Sequence, residues 1–157
     1  MAKRLAEFVG GIRIDLDEIK FEIYGAKIVD ANLKQSDWDI IYQEMYKRIR
    51  EWLLLGKVVV HDTGNFTRYE RGLVSKIAEG QKIEYVTIYM EIPKEVAYDR
   101  LKINRLKRTR FDVSDKDFES TVTEMEMPDP EENAIYFRHD EDIDKWLKRN
   151  ITFKETP

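Results

Sequence analysis

The chain has 157 residues, a length typical of one domain with a buried core. Its formal net charge of −4 argues against an extended nucleic-acid surface and against binding to an anionic membrane. The absence of cysteine excludes disulfide and thiolate chemistry, and two histidines are too few for a usual zinc cluster. No apolar run approaches membrane length and no signal segment is recognisable, so we expect a soluble cytoplasmic protein.

The spacing of apolar residues predicts strands that alternate with helices. In chain order, helices are predicted at 1–9, 18–24, 36–55, 67–79, 93–110, 115–125 and from 140 onward. Strands are predicted at 12–16, 57–61, 84–92 and 134–138. This alternation predicts a single α/β domain over 1–157, with a mainly parallel sheet and helices on both faces.

Several predicted helices begin at recognisable capping residues. The predicted caps are Asp17, Ser36 with Asp39, Thr67 with Glu70, Ser114 with Asp117, and Asp140. In the long helix over 36–55, Ile41, Met45 and Ile49 recur at a spacing of four residues. We expect this stripe to face the core.

Two aspartates stand at the ends of predicted strands, where ligands collect in open α/β sheets. Asp17 follows the first strand, and Asp62 follows the run Val58–Val60 with His61 between. We expect the two strands to be neighbours, so these carboxylates could face one cleft and hold magnesium or take a proton from a hydroxyl group. The alternative is local: Asp17 caps a helix and Asp62 ends a strand in a turn.

Two basic residues lie close to these aspartates. Lys20 is one helical turn beyond Asp17, on the same side of the predicted helix, and could hold a phosphate or an acidic substrate. His61 adjoins Asp62 and could carry a proton. Strand alternation points His61 to the opposite face from Asp62, which favours packing in the core.

A dense basic run occupies residues 100–110. It carries six positive charges, at Arg100, Lys102, Arg105, Lys107, Arg108 and Arg110. These side chains could cover a phosphate group as a mobile lid and neutralise charge during transfer. The alternative is an exposed basic helix that pairs with the acidic patches at 112–119 and 124–132.

The order of several segments resembles P-loop kinases of the predicted-kinase and polynucleotide-kinase-like type. The segments are IDLDEIKFEIYG, VVVHDTGNFTRYER, VTIYMEIPKEVAYDRLKINRLKR, FDVSDKDFES and EMPDPEEN. They cover about residues 1 to 148, and their order and spacing carry more weight than any one of them. The resemblance implies a three-layer α/β fold with a lid at about 100–127, and ATP-dependent transfer of a phosphoryl group to a hydroxyl acceptor.

The resemblance also implies roles for individual residues. Asp17 falls where the family has its proposed base, and Lys20 stands where the family more often has Arg to position the substrate. Asp62, which is followed by Thr63, falls where magnesium and water are organised, and Arg71 matches a helix arginine of the family. The implied phosphate-clamping and nucleotide-binding residues of the lid are Arg100, Arg105, Arg108 and Arg110.

One departure from the family concerns its phosphate-binding loop. The family begins with a strand and the motif G-x-x-x-x-G-K-[ST], whose backbone N–H groups and lysine cradle the phosphates of ATP. No stretch of these residues carries that motif, and the segment that resembles the following helix begins at Met1. ATP and Mg²⁺ are therefore implied by the resemblance, while we expect their binding to be weak in this chain.

Two functional interpretations follow. The chain is either a kinase-lineage phosphotransferase impaired by truncation, or a degenerate binding or scaffold domain on the same fold. Nucleotide ends, small metabolites and proteins are all compatible as acceptors. For the architecture, we expect the strands at 57–61 and 84–92 to pair directly with each other. A homo-oligomer that completes the sheet is the alternative.

Overall fold

The structure is a computed structural model that describes residues 1–107 and 112–152. Seven α-helices and four β-strands lie within these ranges. In chain order they are α1 (Ala2–Val9), β1 (Ile12–Asp15), α2 (Leu16–Tyr24), α3 (Gln35–Leu54), β2 (Val59–Asp62), α4 (Arg68–Gly80), β3 (Thr87–Glu91), α5 (Lys94–Lys107), α6 (Asp115–Glu124), β4 (Ala134–Arg138) and α7 (Ile143–Asn150). Short 3₁₀ helices occupy Asp30–Asn32 and Pro130–Glu132. None of the described helices is long and apolar enough to cross a membrane.

The chain divides into two compact units. The first unit comprises Met1–Asn65 and Gly72–Tyr85, and the second unit comprises Phe66–Arg71 and Val86–Pro157. Each unit contains one two-stranded parallel sheet. The single domain over 1–157 and the lid at about 100–127 remain predictions.

In the first unit, β1 lies parallel to β2. The register runs from Ile12 opposite Val59 to Asp15 opposite Asp62, so the two strands end side by side. Gly11 allows the close approach just before β1, because a Cβ atom there would lie 3.0 Å from the carbonyl oxygen of Val58. The backbone N–H of Ile12 donates to that same carbonyl at 2.8 Å.

The core of the first unit forms where α3 packs against β1 and α2. Ile41, Met45 and Ile49 are at most 2% exposed and contact Ile14 and Ile19. The predicted stripe of α3 is therefore confirmed. Burial of side chains of this size contributes roughly 1.5–3 kcal/mol each, and this contribution anchors the sheet to the long helix.

In the second unit, β3 lies parallel to β4 in a register from Thr87 opposite Ala134 to Glu91 opposite Arg138. Trp146 of α7 packs edge-on against Phe137, with ring centroids 5.4 Å apart. Its indole N–H donates to the carbonyl of Tyr136 at 2.9 Å, so the buried polar atom is satisfied. The predicted strand at 134–138 and the inward position of Trp146 are both confirmed.

The predicted direct pairing of the strands at 57–61 and 84–92 is wrong. Within the described residues, β2 pairs with β1 and β3 pairs with β4. Each strand thus pairs along one edge with a strand of its own unit, and no ladder of hydrogen bonds joins β2 to β3 within the described residues. The homo-oligomer stays a prediction.

Three of the predicted helix caps are wrong by two residues or fewer. Asp15, and not Asp17, caps α2, because its carboxylate accepts from the backbone N–H groups that follow β1. At α3, Asp37 bonds back to the N–H of Lys34, and at α7 the cap is Asp142. The capping pairs Thr67 with Glu70 and Ser114 with Asp117 are confirmed.

Candidate functional site

The carboxyl ends of β1 and β2 bring an arginine against three carboxylates. Arg13 projects from β1, and its guanidinium pairs with Asp15, Glu18 and Asp62. The bond to Asp62 joins Nη1 to Oδ2 at 2.7 Å. The hydrogen bond to Asp62 raises the pKa of Arg13 against the opposing effect of burial, so this guanidinium is a permanent cation.

Asp17 lies in the first turn of α2, which directly follows β1. Its side chain is 56% exposed, and its carboxylate accepts a hydrogen bond from the Lys20 ammonium, with Nζ and Oδ1 2.7 Å apart. The same Nζ donates to Asp30 at 2.7 Å. The predicted proximity of Asp17 and Lys20 is therefore present, and Asp30 is a partner that the sequence pattern did not indicate.

Lys20 is a buried cation, with only 1% of its side chain exposed. Its ammonium lies 5.2 Å from the ring centroid of Phe21 and 5.6 Å from that of Trp38, within the range of cation–π attraction. Burial lowers the pKa of Lys20, but hydrogen bonds to Asp17 and Asp30 outweigh it and raise the pKa overall. The buried end of Lys20 is thus charged and points at Asp17.

His61 packs into the core of the first unit, as strand alternation favoured. Its Nε2 lies 3.2 Å from the sulfur of Met45, and its Nδ1 lies 3.1 Å from the side-chain nitrogen of Asn65. Burial lowers the pKa of His61 to about 4, although the charge of Asp62 acts in the opposite direction. The imidazole is neutral at pH 7 and holds the loop after β2 against α3.

In the second unit, Arg71 forms a buried ion pair with Glu132. Two guanidinium nitrogens donate to its two carboxylate oxygens at 2.6 and 2.8 Å, and both side chains are nearly buried. Arg71 also donates to the carbonyls of Phe66 and Glu126. The hydrogen bond from Arg71 lowers the pKa of Glu132. Arg71 therefore fastens the start of α4 to the segment that precedes β4.

The basic run is only partly within the described residues. Arg100 is exposed on α5, whereas Arg105 is held by its own neighbours. Its guanidinium donates to Asp112 and Asp115 at 2.9 and 2.8 Å and to the carbonyl of Val113. Arg108 and Arg110 lie outside the described residues. The predicted roles of all four arginines in clamping phosphates remain predictions.

A cleft of about 440 Å³ opens in the second unit beside the carboxyl ends of β3 and β4. Its lining combines apolar and charged side chains, from Tyr89, Glu91, Ile92, Pro93, Met127, Arg138 and His139. Such strand ends are a usual place for ligands in parallel sheets. Desolvation raises the pKa of Tyr89, so its hydroxyl is a neutral donor at this cleft.

Sequence reasoning missed Arg13, Asp15 and Asp30 as site residues. Strand alternation placed Arg13 and Asp15 on the same face of β1, and that spacing was a signal for an ion pair. Asp30 gave no such signal, because the loop between α2 and α3 brings it back to Lys20 across ten residues. The predicted joint cleft of Asp17 and Asp62 stays a prediction.

Parallel strands connected through helices, with carboxylates at the strand ends, define an α/β protein of the three-layer P-loop kinase-like class. Residues 1–128 match the AAA domain family, and the chain belongs to that family. A gluconokinase from Sinorhizobium meliloti 1021 is similar in structure, with a TM-score of 0.59 and 16% sequence identity over 94% of this chain and 78% of that chain. At this identity the likeness shows the fold alone. No curated protein matches the chain in sequence.

Kinase-like P-loop proteins generally use ATP and Mg²⁺, and the residues present here do not fit that pair of ligands. The sequence contains no G-x-x-x-x-G-K-[ST] loop to bind phosphates. Among the described residues, no group of three or more His, Cys, Asp or Glu side chains is arranged to hold a metal ion. Asp62, the predicted magnesium ligand, is bonded to Arg13 instead.

Proposed function

We propose that the chain supplies the acceptor-binding part of a kinase-like phosphotransferase site that acts on a hydroxyl group. In this proposal Asp17 accepts the hydrogen bond, and then the proton, of the acceptor hydroxyl. Lys20 holds Asp17 in place and does not itself contact the substrate. The acceptor is a small hydroxyl compound, and gluconate is the first one to test because a structural neighbour is a gluconokinase.

The observation that carries the proposal is the chain of contacts Asp30–Lys20–Asp17. The buried ammonium of Lys20 donates to Oδ1 of Asp17, whose side chain is 56% exposed, so the aspartate is held by one oxygen and remains accessible to solvent. A carboxylate fixed in this way can orient an O–H group by hydrogen bonding and take its proton as the oxygen becomes a nucleophile. A capping aspartate would not need a buried lysine, and the helix cap here is supplied by Asp15.

The test is binding of hydroxyl compounds to the full chain, followed by amide chemical shifts. Gluconate, other polyols and nucleosides with free 5′-hydroxyls are titrated in turn. We expect an acceptor to shift the amides of residues 15–20, and we expect Asp17→Asn to weaken its binding about tenfold, which corresponds to about 1.4 kcal/mol.

Asp39→Asn is the matched control, because Asp39 is an exposed aspartate of α3 whose carboxylate accepts from the side chain of Gln35, one helical turn away, at 3.0 Å. This control should bind the acceptor as the wild type does. An acceptor that binds equally well to the Asp17→Asn variant would refute the proposed role of Asp17.

A non-catalytic binding or scaffold domain on the same fold is the second candidate. Two observations favour it: the sequence lacks the phosphate-binding motif, and Asp62 and Arg105 are both engaged in ion pairs within the chain. Incubation of the full chain with the bound acceptor and millimolar Mg-ATP separates the two candidates. Phosphorylated acceptor, detected by ³¹P NMR, supports the phosphotransferase, and binding without product supports the binding domain.

A further inference from the structure

The contacts of Arg13 bear on whether a metal binds at the strand ends of the first unit. Asp15 and Asp62 face each other in the register of β1 and β2, and Glu18 approaches from the first turn of α2. All three carboxylates converge on the guanidinium of Arg13. Carboxylate oxygens are the ligands that hard divalent cations such as Mg²⁺ prefer.

The positive charge among these three carboxylates is the guanidinium of Arg13, a side chain of the protein itself. The Arg13 side chain is 22% exposed, and its Nη1 serves both Asp15 and Asp62 while Nη2 serves Glu18. A guanidinium presents hydrogen-bond donors and no acceptor, and it remains charged at every physiological pH. It can therefore neutralise the carboxylates and fix their orientation, but it cannot polarise a phosphoryl oxygen as a Lewis acid does.

We propose that Arg13 takes the place of a divalent cation at the carboxyl ends of β1 and β2. Asp62 is then a partner of Arg13 and not a metal ligand, and the arrangement of Asp15 and Asp62 does not depend on Mg²⁺. Arg13 acts as a positioning residue for these two carboxylates. This inference is independent of the proposed role of Asp17, since it concerns cation binding and needs no acceptor.

The experiment compares Mn²⁺ binding to the full-length wild type and to Arg13→Met, with Mn²⁺ as the probe. Electron paramagnetic resonance measures free Mn²⁺, and paramagnetic broadening of amide signals locates the bound ion. We expect no broadening centred on residues 15 and 62 in the wild type. Arg13→Met should bind Mn²⁺ at least about tenfold more tightly than the wild type, because three carboxylates lose their counter-ion.

Two further variants connect the gain to this site. Adding Asp62→Asn to Arg13→Met should abolish the new Mn²⁺ binding. Arg48→Met is the matched control, since Arg48 bridges Glu22 and Glu44 on α2 and α3 at 2.6 and 2.8 Å, away from the strand ends. An equal gain in the Arg48→Met variant would attribute the effect to net charge and overturn the proposal.

The proposal stays testable if Arg13→Met does not fold. Arg13→Lys keeps a tethered cation among the carboxylates, and we expect it to fold and to bind no Mn²⁺ at residues 15 and 62. A comparison of the wild type with Asp62→Asn also gives a decisive result without any change at Arg13. Broadening centred on residues 15 and 62 in the wild type, lost on Asp62→Asn, would show that the site holds a metal with Arg13 present and would refute the inference.

Discussion

At the scale of single residues, a substitution of Lys20 can show whether this side chain stabilises the fold or orients Asp17. A buried ion pair is weak support for stability, because desolvation of the charges offsets their attraction. Both partners of Lys20 are about half exposed, with Asp17 at 56% and Asp30 at 44%, so water can solvate them if the ammonium is removed. The ammonium of Lys20 lies over the rings of Phe21 and Trp38.

We therefore predict that Lys20→Met changes the free energy of unfolding by no more than about 1–2 kcal/mol while acceptor binding falls about tenfold. The methionine keeps the buried volume but leaves Asp17 without its donor. Urea unfolding and calorimetric titration measure the two quantities on the same samples. A large loss of stability with unchanged acceptor affinity would contradict the positioning role.

His61 makes stability depend on pH in a defined window. Its pKa is about 4 in the folded chain against an ordinary value of 6.5, so between these values the unfolded chain binds a proton that the folded chain does not. Stability therefore decreases as pH falls from 6.5 to 4. We predict a loss of about 2 kcal/mol between pH 7 and pH 5 from this group.

Urea unfolding at several pH values measures this loss. His61→Gln should flatten the dependence above pH 5, because no imidazole is then left to titrate in the core. His139→Gln, which removes the other histidine, should keep the slope of the wild type. The same slope in the wild type and in His61→Gln would show that burial of His61 is not its source.

At the scale of elements, the sequence predicted which segments form helices and strands but not all of their ends. Apolar periodicity placed α3 correctly, because Ile41, Met45 and Ile49 recur on one face of the helix and that face is buried in the core. The end of β1 was not predicted correctly. Leu16 continues the strand alternation in the sequence, but the carboxylate of Asp15 accepts from the backbone N–H groups of Asp17 and Glu18, and α2 therefore begins at Leu16.

The candidate site was predictable only in part for a related reason. The spacing of Asp17 and Lys20 is local, and a helical turn brings them together. The contact of Arg13 with Asp62 spans 49 residues and depends on which strands become neighbours. The sequence correctly predicted that β1 and β2 are neighbours, but the pattern did not indicate that Arg13 of β1 would be the partner of Asp62.

The described part of the basic run, residues 100–107, lies on α5 and leads to a prediction about anion binding. Arg105 is bound by Asp112 and Asp115, which occupy the donors that a phosphate would use. Replacing both aspartates with asparagine should release the guanidinium of Arg105 from these ion pairs. We predict that inorganic phosphate then binds several-fold more tightly at α5. Phosphate titrations followed by the amide signals of residues 100–107 measure this change.

Asp99→Asn serves as the control, because Asp99 is an exposed aspartate on the same helix that pairs with Lys102 and not with Arg105. It should leave phosphate binding nearly unchanged. Adding Arg105→Glu to the double variant should remove the gain. If the gain survives that reversal, the phosphate does not bind through Arg105 and its lid role is unsupported.

At the scale of the whole molecule, the family and the sequence lead to different expectations about nucleotide binding. The chain belongs to a family with a P-loop kinase-like fold, which generally uses ATP and Mg²⁺. Yet its residues carry no phosphate-binding motif, and its formal net charge is −4. The proposed role of Asp17 needs no nucleotide, so acceptor binding and nucleotide binding can be tested separately in this chain.

We predict that the 157-residue chain binds Mg-ATP with a dissociation constant above about 1 mM, equivalent to less than about 4 kcal/mol of binding free energy. The phosphates of ATP would meet no glycine-rich loop with its lysine, and Asp62 is already paired with Arg13. Isothermal titration calorimetry with Mg-ATP measures the affinity. Inorganic tripolyphosphate is the control ligand, since it reports attraction to the basic run without recognition of a nucleoside. Micromolar affinity for Mg-ATP, with much weaker binding of tripolyphosphate, would show that this chain has a nucleotide site built from residues other than the usual loop.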